Sequence, residues 1–213
     1  MTAYVILGKN VNLKTYPFEK GSLLIGADRG SLEAVKAGLR LNLAYGDFDS
    51  VTAQEYQLIL SGSDKVIKLN PVKNITDTYG AYQEAKKAGA DKIVILGGIQ
   101  GARIEHLFAI ISILKEDPEV SLEDDNSTLQ VLGCRPKEYA FKRSAFRFFS
   151  FFALEPSQLT LEGFRYPLKD YELQPDDSLC ISNEIVPGKN EGLLTLQKGR
   201  ILAVSSKDDH PLN

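Results

Sequence analysis

The chain has 213 residues, 43% of them apolar and 25% charged, which is enough apolar side chain for one large core or two small ones and too much for a disordered chain. Its 25 Lys and Arg stand against 28 Asp and Glu, a net charge of -3, so the broad basic face that nucleic-acid binding needs is not expected, although a small phosphate pocket is compatible. The two cysteines, Cys134 and Cys180, lie in apolar settings without CxxC spacing or a nearby histidine, and read as buried thiols, not zinc ligands or a disulfide.

In chain order, Tyr4–Leu7 is a short apolar run with no basic region before it, and it reads as a first strand, not a secretion signal. Leu23–Ala27, Leu41–Tyr45, Lys65–Leu69 and Lys92–Leu96 read as further strands, several apolar on both faces as in a parallel sheet covered by helices. Helices are expected between them. Ser31–Ala37 stops at Gly38, and Thr52-Ala53-Gln54-Glu55 has capping-box spacing and opens a helix towards Leu60. Thr76 caps a helix running to Ala88, and Glu105–Lys115 places Leu107, Ile110, Ile111 and Leu114 on one face. The longest apolar helix-like run, Leu107–Leu114, is too short to span a bilayer, so a cytoplasmic protein with no membrane partner is expected.

The acidic stretch Glu116–Asp125 reads as a linker. Beyond it the rhythm changes to strand-like runs at Leu129–Leu132, Phe146–Ala153, Leu159–Phe164, Leu179–Ser182, Leu193–Gln197 and Ile201–Ser205, with Lys198-Gly199 as a tight turn. The expected architecture is therefore an open, mostly parallel α/β sheet of Rossmann-like type over residues 1–126, followed by an all-β sandwich over 127–213. Within the second part, the Phe146–Phe152 cluster is assigned to the sandwich core, with a dimer contact as the alternative.

Open α/β sheets bind ligands beyond the carboxyl ends of their strands, and four successive crossovers here carry polar residues at that rim. They are Asp28-Arg29-Gly30, Gly46-Asp47-Phe48-Asp49-Ser50, Lys73-Asn74-Ile75-Thr76-Asp77 and Gly97-Gly98-Ile99-Gln100-Gly101-Ala102-Arg103. Asp28, Asp47, Asp49 and Asp77 would repel one another unless a cation neutralised them, and hard oxygen donors without His or Cys suit magnesium. Helix caps and Asx-turns are the alternative use for any one of them. Gly97, Gly98 and Gly101 could bring backbone amides to a phosphate at a helix N-terminus, or could simply serve a tight loop. Arg103, Arg29 and Lys73 are cationic candidates on the same rim. His106 follows Arg103 by one helical turn and is either a structural histidine or a proton-transfer group; His210 is given no role. Acids, glycines and arginines so placed suggest phosphoryl-type transfer from a nucleotide, chemistry that depends on charge neutralisation and positioning.

These motifs resemble those of the thiamine pyrophosphokinase family, whose Asp-Arg-Gly, Gly-Asp-Phe-Asp-Ser, Lys-Asp-x-Thr-Asp and Gly-Gly-Arg-x-Asp-His elements correspond in order to Asp28–Gly30, Gly46–Ser50, Lys73–Asp77 and Gly101–His106. Ile181-Ser182-Asn183-Glu184 is similar to the family's Ser-Asn-Glu element. The resemblance implies transfer of the pyrophosphoryl group of ATP, as co-substrate, to the hydroxyl of thiamine, giving thiamine diphosphate and AMP. It also implies Mg2+ and a homodimer whose active site lies at the subunit interface. By motif match, Asp28, Asp47, Asp49 and Asp77 organise metal and pyrophosphate, with Asp49, Asp77 and Arg103 catalytic. Arg29, Lys73, Thr76, Gly98, Gly101 and Arg103 would hold ATP, while Ser182 and Asn183 would touch thiamine. Asn74 and Glu105 stand where the family has Asp, and Ala102 where it has Gly. Two other readings compete: a glycosyltransferase using Asp47-Phe48-Asp49 as an Asp-x-Asp motif, and a thiamine or nucleotide sensor with a decayed site.

Overall fold

A computed structural model of the chain describes residues 1–8, 10–70, 75–100, 103–133, 135, 137–143 and 146–208. Lys73, Asn74, Gly101, Ala102, Cys134 and His210 lie outside the described residues. The chain divides into two compact units, Met1–Asp125 and Asn126–Asn213.

The first unit alternates strands and helices: β1 (Thr2–Ile6), β2 (Leu23–Ala27), α1 (Arg29–Lys36), β3 (Leu41–Gly46), α2 (Ala53–Ser61), β4 (Ser63–Lys68), α3 (Asp77–Lys87), β5 (Lys92–Leu96), α4 (Ile104–Glu116) and β6 (Val120–Glu123). Its strands lie in the order β4-β3-β2-β1-β5-β6, and every pair is parallel. The chain winds outward from β1 to β4, then returns through α3 to place β5 on the other side of β1. That reversal makes the carboxyl ends of β1 and β5 the topological switch point. Alternate residues of β1 feed the two faces. Tyr4 and Ile6 pack with Leu32 and Ala34 of α1, Ile59 of α2, and Leu41, Val94 and Leu96. On the opposite face α3 packs on β1, β2 and β3.

The Thr52 capping box is present in full. Glu55 N–H donates to Thr52 Oγ1 at 3.3 Å, and Thr52 N–H donates to Glu55 Oε2 at 3.1 Å. Lys36 of α1 pairs with the same carboxylate at 3.0 Å, so one acidic side chain starts α2 and ties it to α1. Thr76 caps α3 by accepting from Tyr79 N–H at 3.1 Å. The expected linker Glu116–Asp125 is corrected by the structure. It contains β6, which pairs parallel to β5 and buries Val120 and Leu122. The charges there hid a two-residue apolar alternation too short to weigh as a strand.

The second unit's described elements are seven strands: β7 (Ser127–Gly133), β8 (Lys137–Lys142), β9 (Phe148–Ala153), β10 (Ser157–Glu162), β11 (Leu168–Leu173), β12 (Glu191–Lys198) and β13 (Arg200–Ser206). β13 lies antiparallel between β7 and β9, and the other four form an antiparallel sheet in the order β11-β10-β12-β8. The inner faces enclose Phe141, Phe149, Phe151, Phe164, Leu159, Leu194 and Ile201. Phe141 meets Phe149 and Phe151 edge-on at 5.6 and 5.2 Å between ring centroids, contacts worth roughly 0.5–1.5 kcal/mol each beyond their burial. Phe149 and Phe151 thus belong to the core as expected, while Phe152, on the alternate face, is 36% exposed. Leu179–Ser182 is not a strand, against expectation. It is an irregular turn leading into an isolated bridge between Asn183 and Phe149, and Ser182 has φ 55°. β8 and β11 went unread because their alternation is interrupted by charge.

Gly30 is required by the packing at the end of β1: a Cβ there would stand 2.0 Å from the Ile6 carbonyl oxygen. Gly30→Ala is therefore expected to lower stability by at least ~2 kcal/mol, read as a reduced urea midpoint at unchanged slope. An unaltered midpoint would show that α1 does not approach β1 so closely. The Glu55 carboxyl is held down at about 2 by the Thr52 backbone N–H and by Lys36. Because its folded pKa is depressed, its contribution is complete above the ordinary value of 4.5 and is lost as pH falls towards about 2. The melting-temperature gap between wild type and Glu55→Gln should close across that window; a gap independent of pH would contradict the assignment.

Candidate active site

The switch point carries a cavity of about 520 Å³. Leu7 after β1 and Gly98 and Gln100 after β5 form part of its wall, together with Asp28, Arg29 and Gly30 at the start of α1. Thr76, Asp77 and Thr78 contribute from the start of α3, and Arg103, Ile104, His106, Leu107 and Ile110 from α4. Several helix N-termini thus meet one hollow, an arrangement suited to anions. Gly98 has φ 93°, and a Cβ on it would come within 2.8 Å of Leu7 Cδ1 and 3.0 Å of Ile110 Cδ1. A side chain at this position would be strained in backbone and in contact alike.

Beside the cavity, one carboxylate oxygen each of Asp28, Asp47 and Asp49 falls within 4.8 Å of the others. Asp28 belongs to both the cluster and the cavity wall. Its backbone is unusual for a residue with a side chain, at φ 47° and ψ -124°, a conformation that costs on the order of 1–3 kcal/mol. Its carboxylate offsets that cost. Phe48 N–H donates to Oδ1 at 3.2 Å and Ser50 Oγ–H donates to Oδ2 at 3.1 Å, bonds of about 1.5–3 kcal/mol each at most for a charged acceptor. Arg29 adds a third tether, donating to the Ser50 carbonyl at 3.3 Å. Within the loop, Asp49 N–H donates to Asp47 Oδ1 at 3.2 Å, an Asx-type turn that brings the two acids together. Phe48, at φ 58°, turns inward, is 5% exposed and packs on Tyr56. The intervening aromatic is therefore the anchor that leaves the flanking aspartates at the surface.

Asp77 is not part of this trio. It sits in the first turn of α3 and lines the cavity, where a carboxylate complements the helix dipole. Of the four acids expected to converge, Asp28, Asp47 and Asp49 come within this limit of one another, and Asp77 stands apart from them on the cavity wall. Thr76 and Arg29 line the cavity but already serve as a helix cap and a loop tether. Arg103 pairs through Nε with Glu105 Oε1 at 2.8 Å, and the guanidinium holds the Glu105 carboxyl below its ordinary value. The guanidinium's two Nη groups form a second edge of the fork, one that can take a bidentate anion. Lys73 and Gly101 lie outside the described residues.

In the β unit, Ser182 is exposed, whereas Asn183 is 2% exposed. Cys180 is buried, and burial pushes its thiol up to about 11. Gln100, Ile104 and Leu107, which the sequence did not single out as site residues, help wall the cavity. Their only signal was position, on the crossover from β5 to α4.

A switch-point cavity flanked by three carboxylates, together with a separate β unit, puts the chain among doubly wound α/β proteins that take a small ligand at the strand ends. Family profiles narrow this. The profile of the thiamin pyrophosphokinase catalytic domain matches residues 16–122, and that of the thiamin pyrophosphokinase vitamin B1 binding domain matches 138–200. A thiamine pyrophosphokinase of Bacillus subtilis (strain 168) is 32% identical over 197 residues, covering 89% of this chain and 90% of the relative. The crystal structure of a thiamine pyrophosphokinase from Bacillus subtilis superposes with a TM-score of 0.85 at 30% identity, covering 98% of this chain and 100% of the other. That of the Geobacillus thermodenitrificans protein gives 0.85 at 26% identity, with both chains covered in full. The chain belongs to the thiamin pyrophosphokinase family.

Proposed function

We infer that this protein transfers the pyrophosphoryl group of ATP to the hydroxyl of thiamine, releasing thiamine diphosphate and AMP. The observation that carries the reading is the match of both family profiles, in order, to the α/β and β units. The cavity supports it, since Asp28 joins the carboxylate trio to a hollow ringed by helix N-termini.

The donor set fits magnesium: three hard carboxylate oxygens within 4.8 Å, with no nitrogen or sulfur among them. Asp28, Asp47 and Asp49 would hold the ion, which when bound supplies charge neutralisation for the phosphate oxygens. The remaining work falls to the chain. The amides around Gly98 and the N-termini of α3 and α4 would receive phosphate. Arg103, which lines the cavity with its Nε taken by Glu105, would bind the charge that spreads over the transferred group. Lys73 would assist it. Asp77 would orient the thiamine hydroxyl and take its proton as that oxygen bonds to the β-phosphorus. The bond between the β-phosphorus and the oxygen bridging to the α-phosphorus then breaks, and AMP leaves with the bonding electrons. We further propose that residues 127–213 form the thiamine-binding and dimerisation domain, and that a cytoplasmic homodimer completes the site at its subunit interface. The exposed apolar side chains Tyr166, Leu179 and Ile181 near the Ser182 turn support this. Among the described residues, no helix is long and apolar enough to cross a membrane.

Incubation of the protein with ATP, thiamine and magnesium should give AMP and thiamine diphosphate in equal amounts by chromatography and mass spectrometry, and chelation should abolish both. ADP with thiamine monophosphate would instead place the attack on the γ-phosphorus. Asp49→Asn should lower kcat by ~100-fold or more with an unchanged circular-dichroism spectrum; full activity would remove Asp49 from the mechanism. Asp28→Asn should weaken binding of Mn2+, used as a spectroscopic substitute for magnesium, by at least about tenfold in an electron paramagnetic resonance titration without nucleotide. Undiminished affinity would remove Asp28 from the ion's donors.

A further inference from the structure

The segment around Ser182 is irregular, yet it is fastened at many points. Phe149 and Asn183 exchange both backbone hydrogen bonds, at 2.8 and 2.9 Å. Phe151 N–H donates to the Cys180 carbonyl at 2.8 Å, and Ser182 N–H donates to Ser150 Oγ at 2.9 Å. The Asn183 side chain goes further. Its Oδ1 accepts from the N–H groups of Tyr166 and Glu184, each at 3.0 Å, while its Nδ2 donates to the Tyr166 carbonyl at 2.8 Å. One buried amide thus pairs with both backbone polar groups of Tyr166, as a neighbouring strand would. Both acceptor positions of the amide oxygen are occupied, and burial shields the group from any ligand. Beside it, Ser182 is exposed and Tyr166 is 58% exposed. The Arg165 guanidinium lies 5.8 Å from the centre of the Tyr166 ring, and Arg165 N–H donates to the Glu184 carbonyl at 2.7 Å.

Motif matching assigns Asn183 to thiamine itself. We propose instead that Asn183 is a positioning residue, whose buried amide sets the Tyr166 ring and the Ser182 hydroxyl as paired contacts for thiamine. Thiamine carries a cationic ring and a second flat ring, and an exposed phenol ring is suited to both. The inference rests on the functional reading above and deepens it.

The test is steady-state kinetics of the full-length protein with thiamine varied at saturating ATP and magnesium, from about pH 5.5 to about pH 8.5, for wild type, Asn183→Asp, Ser182→Gly and Tyr166→Ala. In Asn183→Asp at alkaline pH, a carboxylate oxygen faces the Tyr166 carbonyl and the donor is lost. The KM for thiamine should rise about tenfold, with kcat and the KM for ATP unchanged. The charged groups around this position are Glu184, its partners Arg147 and Arg165, Asp208 on Arg147, and Arg143 on the Ile185 carbonyl, with the Cys180 thiol nearby in sequence. Burial and the facing carbonyl favour the protonated acid, whose O–H then restores the bond to Tyr166. The ratio of variant to wild-type KM should therefore fall as pH falls, a signature that general loosening of the fold would not produce. Ser182→Gly suits the φ of 55°, and Tyr166→Ala alters an exposed side chain. Both should raise the same KM, and they decide the matter should Asn183→Asp fail to fold. A pH-independent ratio, a kcat loss in step with KM, or an unchanged thiamine KM in Tyr166→Ala would overturn the proposal. Wild-type protein that makes no AMP from ATP and thiamine would overturn the functional reading first, and the inference with it.

Discussion

Both oxygens of the Asp28 carboxylate accept hydrogen bonds from the loop after β3, one from the Phe48 amide and one from the Ser50 hydroxyl. The loop has no regular structure of its own, so these bonds, with the Arg29 tether and the buried Phe48 ring, hold Asp47 and Asp49 beside Asp28 against their mutual repulsion. The residue that does the holding is itself in a backbone conformation that glycine would adopt more cheaply. A strained, charged residue persists there because its carboxylate both ties the loop and belongs to the acidic trio. Gly46 makes room for it, since a Cβ at that position would come within 2.9 Å of the Asp28 Cα.

The same economy runs through the switch point. Gly30 lets α1 start against the last carbonyl of β1, and Gly80 lets α3 pass the Tyr45 ring, which a Cβ would approach to 2.4 Å. These contacts bring the N-termini of α1 and α3 close to the strand ends, and so create the hollow that Arg103 and Gly98 border. Site geometry here is a by-product of how near helices can come to a sheet, and side-chain absence sets that distance as firmly as side-chain presence sets the chemistry.

In the β unit the irregular segment around Ser182 is supported differently. An aromatic core of Phe141, Phe149, Phe151 and Phe164 gives rigidity from within. The irregular stretch around Ser182 borrows that rigidity through its bridge to Phe149 and through the Asn183 amide. Glu184, paired with Arg147 and Arg165, fastens its outer side. A loop so tied loses less backbone entropy when its side chains meet a ligand.

Residue order alone determined the alternation of β1 through α4, because parallel strands buried on both faces and helices with caps at Thr52 and Thr76 leave local marks. It also determined the motifs that identify the family, since glycine, aspartate and arginine after strands are chemical choices made locally. β6 was hidden because its two buried residues gain meaning only beside β5, and Leu179–Ser182 passed for a strand because an apolar run does not reveal whether it has partners. The separation of Asp77 from the trio and the burial of the Asn183 amide against the Tyr166 backbone were likewise decided only by the tertiary structure. Whether a carboxylate converges with others, or an amide is consumed by a backbone, depends on distances between residues far apart in the chain, and short-range patterns carry no record of them.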